Sequence, residues 1–426
     1  MDDTIYAFAS GAGKAGVSVL RVSGPFALQV SAALGVQNLS PRQASLRNLR
    51  GPDGEVLDQA LVLYFASGAS FTGEDVVEFH VHGSIAVQRA LYAAIQRTGL
   101  ARQAEAGEFT RRALMNDRLD LTEVQGLADI IEAETEVQRR EALRVLSGEM
   151  SAKFQAWREG LTHAQALLEA SIDFADEEVP EDVLPEVQAL LRDVRGEMSR
   201  EVRGYSAARS LRDGFRVALV GAPNVGKSAL VNYLVQRESS LVSDIPGTTR
   251  DILENRIDIK GLEVILLDMA GIRETGDAVE ALGVERALSN AEAADVRVFL
   301  YEGDVPSTWP VAYRKGDIVR KTKVDLSGGD GVSTMSGAGI AALTDEIYEE
   351  LSRRVSVAGF VSRQRDKDAL VAAIAEIDRV LKADDTQFEL AAETLRQAAW
   401  LVRTVIGEVG VEDILDDVFA SFCLGK

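Results

Sequence analysis

The sequence predicts a multidomain α+β protein. It combines an N-terminal α/β domain, an all-α helical domain assembled from two separate stretches of chain, and a doubly wound α/β domain inserted between those stretches. Three observations lead there. Up to residue 118, β-branched and aromatic strand runs alternate with helical ones. From 119 to 212, and again from 355 to 426, apolar residues recur every three to four positions. From 213 to 354, short continuous apolar runs return, the mark of parallel strands buried on both faces.

In chain order, residues 5–9, 17–22, 60–65 and 76–81 read as strands, and residues 25–34 and 85–97 as helices. Leu127, Ile130, Ile131, Glu134 and Val137 begin an amphipathic helical pattern. It continues through Leu143, Leu146, Met150 and Phe154 to Leu161, Leu167 and Leu168. Pro180 and Pro185 punctuate it, and a further helix runs to about Leu211. Residues 215–220, 264–267, 296–300 and 318–320 read as the strands of the inserted domain. Beyond it, Leu370, Ile374, Ile377 and Leu381 share one helix face. The expected division is 1–118, 119–212, 213–354 and 355–426.

The 426 residues, 46% hydrophobic and 27% charged, have the composition of a soluble globular protein and exclude a mainly disordered one. No apolar run reaches the ~18 residues of a membrane span. The first residues lack a basic stretch, so a signal peptide is not expected. The single cysteine, Cys423, excludes a disulfide within the chain and fits a reducing cytoplasm. His80 and His82 share a strand face, but no Cys or third His is near them in sequence, so a sheet surface is the expectation.

The net charge is −21, unevenly spread. Residues 1–118 carry 11 charges of each sign, whereas residues 119–212 carry 11 positive and 20 negative. An acidic surface repels a phosphate backbone, so a nucleic-acid substrate would need a local basic patch or a basic partner.

Gly221-Ala222-Pro223-Asn224-Val225-Gly226-Lys227-Ser228 fits G-x-x-x-x-G-K-S, with Ala229 next, between an apolar strand and a helix. In that context the backbone N–H groups turn onto phosphate oxygens, Lys227 adds charge near the β- and γ-phosphates, and the Ser228 hydroxyl is a Mg²⁺ ligand. Asp268-Met269-Ala270-Gly271 ends the 264–267 strand; Asp268 would hold the Mg²⁺ shell and the Gly271 N–H would touch the γ-phosphate. Thr322-Lys323-Val324-Asp325 ends the 318–320 strand. A carboxylate at Asp325 can accept both N1–H and N2–H₂ of guanine, which adenine does not offer. Ser333, Thr334 and Met335, after a further strand, would back the base. In this order the motifs resemble a translation-factor-like GTPase of the Ras-related class. Thr322 stands where such GTPases usually carry Asn, and the segment between Leu300 and Ile318 leaves little room for the usual helix.

Many GTPases orient the attacking water with a Gln after Asp-x-x-Gly. Here Ile272 occupies that position, so another group must act. Between the first two motifs runs Ser243-Asp244-Ile245-Pro246-Gly247-Thr248-Thr249-Arg250-Asp251, in which Thr249 is the second Mg²⁺ candidate.

The Gly-x-Pro-Asn-x-Gly-Lys-Ser loop with Gly247-Thr248-Thr249-Arg250-Asp251 resembles the TrmE (MnmE) family of tRNA modification GTPases. So do Val19–Gly24, Phe71–Asp75, Gly107–Ala113, Asn116–Leu121 and the terminal Cys423-Leu424-Gly425-Lys426. The resemblance runs from residue 4 to residue 426. It implies an N-terminal folate-binding and dimerisation domain, a helical domain in two segments, and an inserted Ras-like P-loop GTPase domain. It further implies a homodimer that works with a FAD-dependent partner, MnmG (GidA), in a heterotetramer or larger complex. Together they would form the 5-carboxymethylaminomethyl group on the wobble uridine of certain tRNAs, with a tetrahydrofolate derivative (5-formyl or methylene form) as one-carbon donor.

By the same resemblance, Arg21, Glu78, Arg118 and Lys426 match folate-binding residues; the family usually has Lys at the position of Arg118. A K⁺ ion replaces the arginine finger, held by Asn224, Thr248 and the carbonyls of Ser243 and Ile245. Glu280 matches the water-orienting acid, acting through a bridging water. Cys423 is placed at the folate site as a candidate catalytic thiol. Two other readings stand beside this one: a GTP-controlled switch in RNA or ribosome assembly, and a folate-dependent methyltransferase with a vestigial GTPase domain. Intact Lys227, Ser228 and Thr249 argue against the second.

Overall fold

A computed structural model describes residues 3–11, 13–173, 183–238, 255–268, 288–383 and 388–409, together with Phe419 and Gly425. The chain divides into two compact units, Met1–Ala128 with Ile406–Lys426, and Asp129–Val405.

The first unit is built on a six-stranded sheet of order β3-β4-β5-β2-β1-β6. Its strands are β1 Ile5–Phe8, β2 Ala15–Ser23, β3 Ser45–Arg50, β4 Val56–Phe65, β5 Val76–Gly83 and β6 Arg102–Gln103. Only the β1–β6 pair is parallel. Helices α1 Ala27–Ala33 and α2 Ile85–Thr98 contribute Val30, Leu91 and Ile95 to a core with the sheet residues Leu20, Val22 and Phe79. Helix α3, Glu108–Met115, contributes Phe109 to a smaller cluster with Ile5 and Ala7. Alternation along β1 makes both cores possible, since Tyr6 joins the first and its neighbours the second. The Ser84 hydroxyl caps α2 by accepting from Val87 N–H, and Gly99 at φ 66° ends it.

In this sheet, β3 and β6 escaped the sequence pattern, and β4 was read only in part. Strand β3 reads Ser-Leu-Arg-Asn-Leu-Arg and fully buries only Leu49. Strand β4 begins four residues before its apolar run, at Val56.

The second unit holds long helices and a second sheet. Helix α4, Leu121–Glu132, spans the division between the units. It opens on a reciprocal cap: Asp120 Oδ1 accepts from Glu123 N–H, and Glu123 Oε2 accepts from Asp120 N–H. The pattern read as continuous from Leu127 past Val137 is interrupted at residues 133–135, because Thr135 caps a new helix. That helix, α5, spans Glu136–Leu146, with Thr135 and Gln138 forming a capping box. Helices α6 Glu149–Asp173 and α7 Leu184–Asp213 follow. Pro185 sits in the first turn of α7, where its missing N–H costs nothing, and Pro180 is outside the described residues.

The second sheet, order β11-β10-β7-β9-β8, comprises β7 Phe215–Gly221, β8 Asn255–Ile259, β9 Leu262–Asp268, β10 Val296–Tyr301 and β11 Ile318–Lys321. Four strands are parallel, as expected, and β8 is an antiparallel edge. Lys260 (φ 53°) and Gly261 (φ 89°) join β8 to β9 in a two-residue turn, and positive φ at both positions matches the twist of a hairpin. Helices α8 Lys227–Glu238, α9 Val324–Ser327 and α10 Ile340–Val355 belong to this sheet segment. Among the described residues, no helix lies between β10 and β11.

Helices α11 Gln364–Lys382 and α12 Phe388–Ile406 complete the unit, α11 packing along α7 on the far side of the sheet segment in sequence. Helix and sheet are locked by Gln138, whose Nε2 donates to the Arg212 carbonyl (3.1 Å) and to Glu263 Oε2 on β9 (2.6 Å). No described helix is long and apolar enough to cross a membrane, and no described group of three His, Cys, Asp or Glu could hold a metal ion.

Candidate nucleotide site and N-terminal cluster

Strand β7 delivers the phosphate loop. At its end, a Cβ on Gly221 would run into the Leu300 carbonyl oxygen, so glycine lets β7 and β10 close up there. Asn224 (φ 60°) and Gly226 (φ 105°) reverse the chain, and Val225 plugs the loop into the core. Leu230 N–H donates to the Gly226 carbonyl (2.9 Å) as α8 begins. The first-turn N–H groups of a helix lack intrahelical acceptors and carry partial positive charge, which suits an anion at the loop.

Lys227 is only 5% exposed, and its Nζ donates to the Gly221 and Ala222 carbonyls, 2.9 Å each. Burial pushes its pKa below the usual lysine range, and the charge of Asp268 works against that shift. Ser228 and Ala229 are exposed in the first turn of α8. Asp268 ends β9 in register with Leu219 of β7, one strand from the loop. Ser228 and Asp268 therefore present hard oxygen donors beside a lysine, a donor set that fits Mg²⁺.

The segment Thr322–Asp325 opens at the same edge. Strands β7, β10 and β11 are parallel, and Leu300 pairs with both Gly221 and Arg320. At a strand spacing of ~4.8 Å, the two loops start about 10 Å apart. Strands are added on one side of β7 and then on the other, so its carboxyl end is a topological switch point. Thr322 N–H and Oγ1 both donate to the Tyr301 carbonyl, at 2.8 and 3.1 Å. A threonine thus ties β11 to β10 through its hydroxyl.

Lys323 (φ 56°) turns the chain into α9, with its Nζ 2.5 Å from Glu302, and Asp325 is exposed in the first turn. Ser333 follows a single bridge, Thr322 to Val332, and not the full strand expected. Beside this bridge, Gly331 passes too close to the Lys321 carbonyl for any side chain. Ser333 is buried, and its Oγ accepts from Met335 and Ser336 N–H (3.2 Å each), which shapes the Thr334–Met335 turn and leaves Met335 87% exposed.

In the first unit, Arg21 on β2 faces Glu78 on β5 in register, and its Nε and Nη2 each lie 2.9 Å from Glu78 Oε1. The guanidinium also stands 5.5 Å from the ring centres of Phe71 and Phe109. Gly73 (φ 80°) lies against the stem of Arg118, and Asn116 Nδ2 donates to the Thr72 carbonyl (2.7 Å). The loop carrying Phe71 is thereby pinned to the segment carrying Arg118. Gly425 sits where a Cβ would meet the Phe8 carbonyl, at the end of β1. Arg21 and Glu78 are thus in contact, and Arg118 and Gly425 belong to the same unit.

Beneath them is a network that the sequence reading did not single out. Fully buried Arg112 binds Asp3 (2.8 Å), Glu74 (3.1 Å) and Glu108 (3.0 Å), and Arg102 also binds Glu108. Burial would raise the Glu108 pKa, but the hydrogen bond from Arg102, the Glu105 N–H and Arg112 outweigh it, so Glu108 titrates below the usual range. The signal for this network was the charge pattern of Glu108, Arg111 and Arg112 on one short helix. His82, exposed on the sheet surface, is hydrogen-bonded to Asp58 (2.7 Å), whereas the half-buried His80 lies 3.5 Å from Glu78 and its Nε2 has no hydrogen-bond partner.

Residues 4–118 match the family model "GTP-binding protein TrmE N-terminus", and residues 121–423 match "MnmE helical domain". The tRNA modification GTPase MnmE of Roseobacter denitrificans is 48% identical over 429 residues, covering all of both chains. That of Cereibacter sphaeroides is 49% identical over 435 residues, again end to end. The chain belongs to the MnmE family of GTPases. Among solved structures, Era of Aquifex aeolicus is 23% identical over 40% of this chain and 68% of its own, with a TM-score of 0.26. The FeoB G domain of T. maritima is 21% identical over 32% of this chain and 98% of its own, with a TM-score of 0.23. The fold class expected for the MnmE family is the one observed. Of the candidate residues, Ser243, Asp244, Ile245, Pro246, Gly247, Thr248, Thr249, Met269, Ala270, Gly271, Glu280, Cys423 and Lys426 lie outside the described residues.

Proposed function

We propose that this chain is a K⁺-stimulated GTPase that acts on tRNA. With a FAD-dependent partner of the MnmG type, it forms the 5-carboxymethylaminomethyl group on the wobble uridine. One observation carries the reading: end-to-end likeness, at 48% identity, to tRNA modification GTPases. The domain division 1–118, 119–212, 213–354 and 355–426 belongs to this reading, as do a homodimer and a cytoplasmic location.

Within the site, the phosphate-loop N–H groups and Lys227 would hold the phosphates, and Asp325 would choose guanine. Ser228 and Thr249 would hold Mg²⁺, with Asp268 in its outer shell. A bound Mg²⁺ neutralises charge that builds on the phosphates during transfer. Asn224, Ser243, Ile245 and Thr248 would hold K⁺, an all-oxygen set suited to a hard ion. Glu280 would orient water where Ile272 cannot.

The Arg21–Glu78 pair supports the folate reading. A pterin presents adjacent N–H donors, which suit the Glu78 carboxylate, and the glutamate tail suits cations such as Arg118 and Lys426. Phe71 and Phe109 flank Arg21 and offer flat apolar walls. Support for dimerisation comes from Leu46 and Leu61, cross-strand partners on β3 and β4 that are 60% and 40% exposed. The test is mass spectrometry of tRNA nucleosides from cells lacking this protein: the modified wobble uridine should vanish and return on complementation. Its persistence would end the reading.

A further inference from the structure

Just past β11 stands a threonine whose hydrogen-bond donors are both spent on the protein. Thr322 is 5% exposed, and its N–H and Oγ1 both donate to the Tyr301 carbonyl, at 2.8 and 3.1 Å. A carbonyl oxygen only accepts, so the direction of the second bond is fixed: the hydroxyl gives its single hydrogen to Tyr301. The side chain keeps only lone pairs, which accept and do not donate. Thr322 is held from the other side as well. Val332 N–H donates to the Lys321 carbonyl (2.7 Å), beside the bridge between Thr322 and Val332. Thr322 is thus wedged between the end of β10 and the Val332 segment.

The neighbouring cations are committed too. Lys323 Nζ lies 2.5 Å from Glu302, and Lys321 Nζ donates to the Gly328 carbonyl (3.3 Å). Guanine carries hydrogen-bonding groups on more than one edge. Its N1–H and N2–H₂ are donors, whereas N7, on the five-membered ring, is an acceptor. Asp325, three residues beyond Thr322 and exposed, is a carboxylate and suits the donors. N7 needs a donor, and Thr322 has none to give. An asparagine here would differ in kind. Its carboxamide carries two N–H donors besides an acceptor, so it can hold the protein and reach a ring nitrogen at once.

We propose that Thr322 leaves guanine N7 unread, so that this site selects its nucleotide through the N1–N2 edge alone. It then accepts guanine nucleotides in which carbon replaces nitrogen at position 7. The inference rests on the reading of Asp325 as the residue that chooses guanine. N7 keeps a water partner in the complex, as it does in free GTP, so removing it costs little binding.

The test uses the full chain with Mg²⁺ and a ribose-labelled fluorescent guanine nucleotide, displaced by GTP, 7-deaza-GTP or inosine triphosphate. 7-Deaza-GTP keeps N1–H, N2–H₂ and O6 and lacks only N7; inosine triphosphate lacks only the N2 amino group. The wild-type chain should bind 7-deaza-GTP within about twofold of GTP and inosine triphosphate at least about fivefold more weakly, the worth of one hydrogen bond. Thr322→Asn should bring a preference of about fivefold for GTP over 7-deaza-GTP. Thr322→Val, which removes the hydroxyl and keeps the shape, should leave the two nucleotides equal.

A wild-type chain that binds 7-deaza-GTP fivefold or more weakly than GTP would overturn the proposal, and that comparison needs no variant to fold. So would a Thr322→Val chain that loses affinity for GTP and not for 7-deaza-GTP, since the hydroxyl would then be reading N7. An Asn variant as blind to position 7 as the wild type would overturn the assignment of this tolerance to Thr322. Equal binding of GTP and inosine triphosphate is a different result: it would remove the Asp325 reading, and this inference with it.

Discussion

Replacing Asp325 with Asn tests whether residues 322–325 read the base. Asp325 sits in the first turn of the four-residue helix α9, entered through the left-handed Lys323 and tied to β10 by two Thr322 hydrogen bonds. Its carboxylate is exposed, so its position is set by this backbone frame, which the substitution leaves alone. Both guanine donors would bond to the one carboxylate. Asparagine keeps one acceptor and turns an NH₂ group toward the other guanine donor, so one charge-assisted bond is lost and the second becomes neutral. At ~1.5–3 kcal/mol for the first and ~1 kcal/mol for the weakening, the loss is about 3 kcal/mol, or roughly 150-fold in Kd for GTP. Xanthosine triphosphate presents a carbonyl where guanine has its amino group, so its affinity should rise by a similar factor. Fluorescent nucleotide titration with both triphosphates measures the exchange. A variant within threefold of wild type for GTP, with no gain for the xanthine nucleotide, refutes the assignment of Asp325 to the base.

Three further outcomes are expected. GTP turnover should be fast in KCl and slow in NaCl, because Na⁺ is too small for the ligands around Asn224; equal rates in the two salts would remove K⁺ from the account. Glu280→Ala should lower the single-turnover rate by about 10²-fold with nucleotide affinity unchanged, whereas a matching loss of affinity would point to a damaged fold. Arg112→Leu should cost about 3–5 kcal/mol at neutral pH, because Asp3, Glu74 and Glu108 would lose a buried cation. Glu108 titrates below its unfolded value of about 4.3, so its contribution is complete above that pH and is lost as pH falls through the lower folded value. Thermal melts should show wild type losing stability below about pH 4 with a steeper slope than the variant. Parallel acid slopes would contradict this.

Much of the site was legible because chemistry and periodicity coincided. Lys227 follows an apolar run with the pattern of a buried strand, so its loop is legible in the sequence alone. Thr322 looked like a loss relative to Asn, since sequence shows an absent amide and not a hydroxyl bonded to the Tyr301 carbonyl on the next strand. Strand β8 was missed because Asn-Arg-Ile-Asp-Ile is only partly apolar; its place depends on the hairpin at Lys260–Gly261 and on pairing with β9. The break before α5 was hidden because Leu127 to Val137 keeps helical spacing across the Thr135 cap. The charge pattern of Glu108 and Arg112 was local, but the contact of Arg112 with Asp3 joins residues 109 positions apart, a distance no local pattern spans. The pairing of Arg21 with Glu78 likewise needed the β2–β5 register.

The central claim, that the GTPase serves wobble-uridine modification, is tested most directly by nucleoside mass spectrometry of tRNA from deletion cells carrying wild type or Lys227→Ala. The wild-type chain should restore the 5-carboxymethylaminomethyl group, and the variant, stripped of its phosphate-loop ammonium, should not. Full modification in the deletion cells, or full restoration by Lys227→Ala, would contradict it.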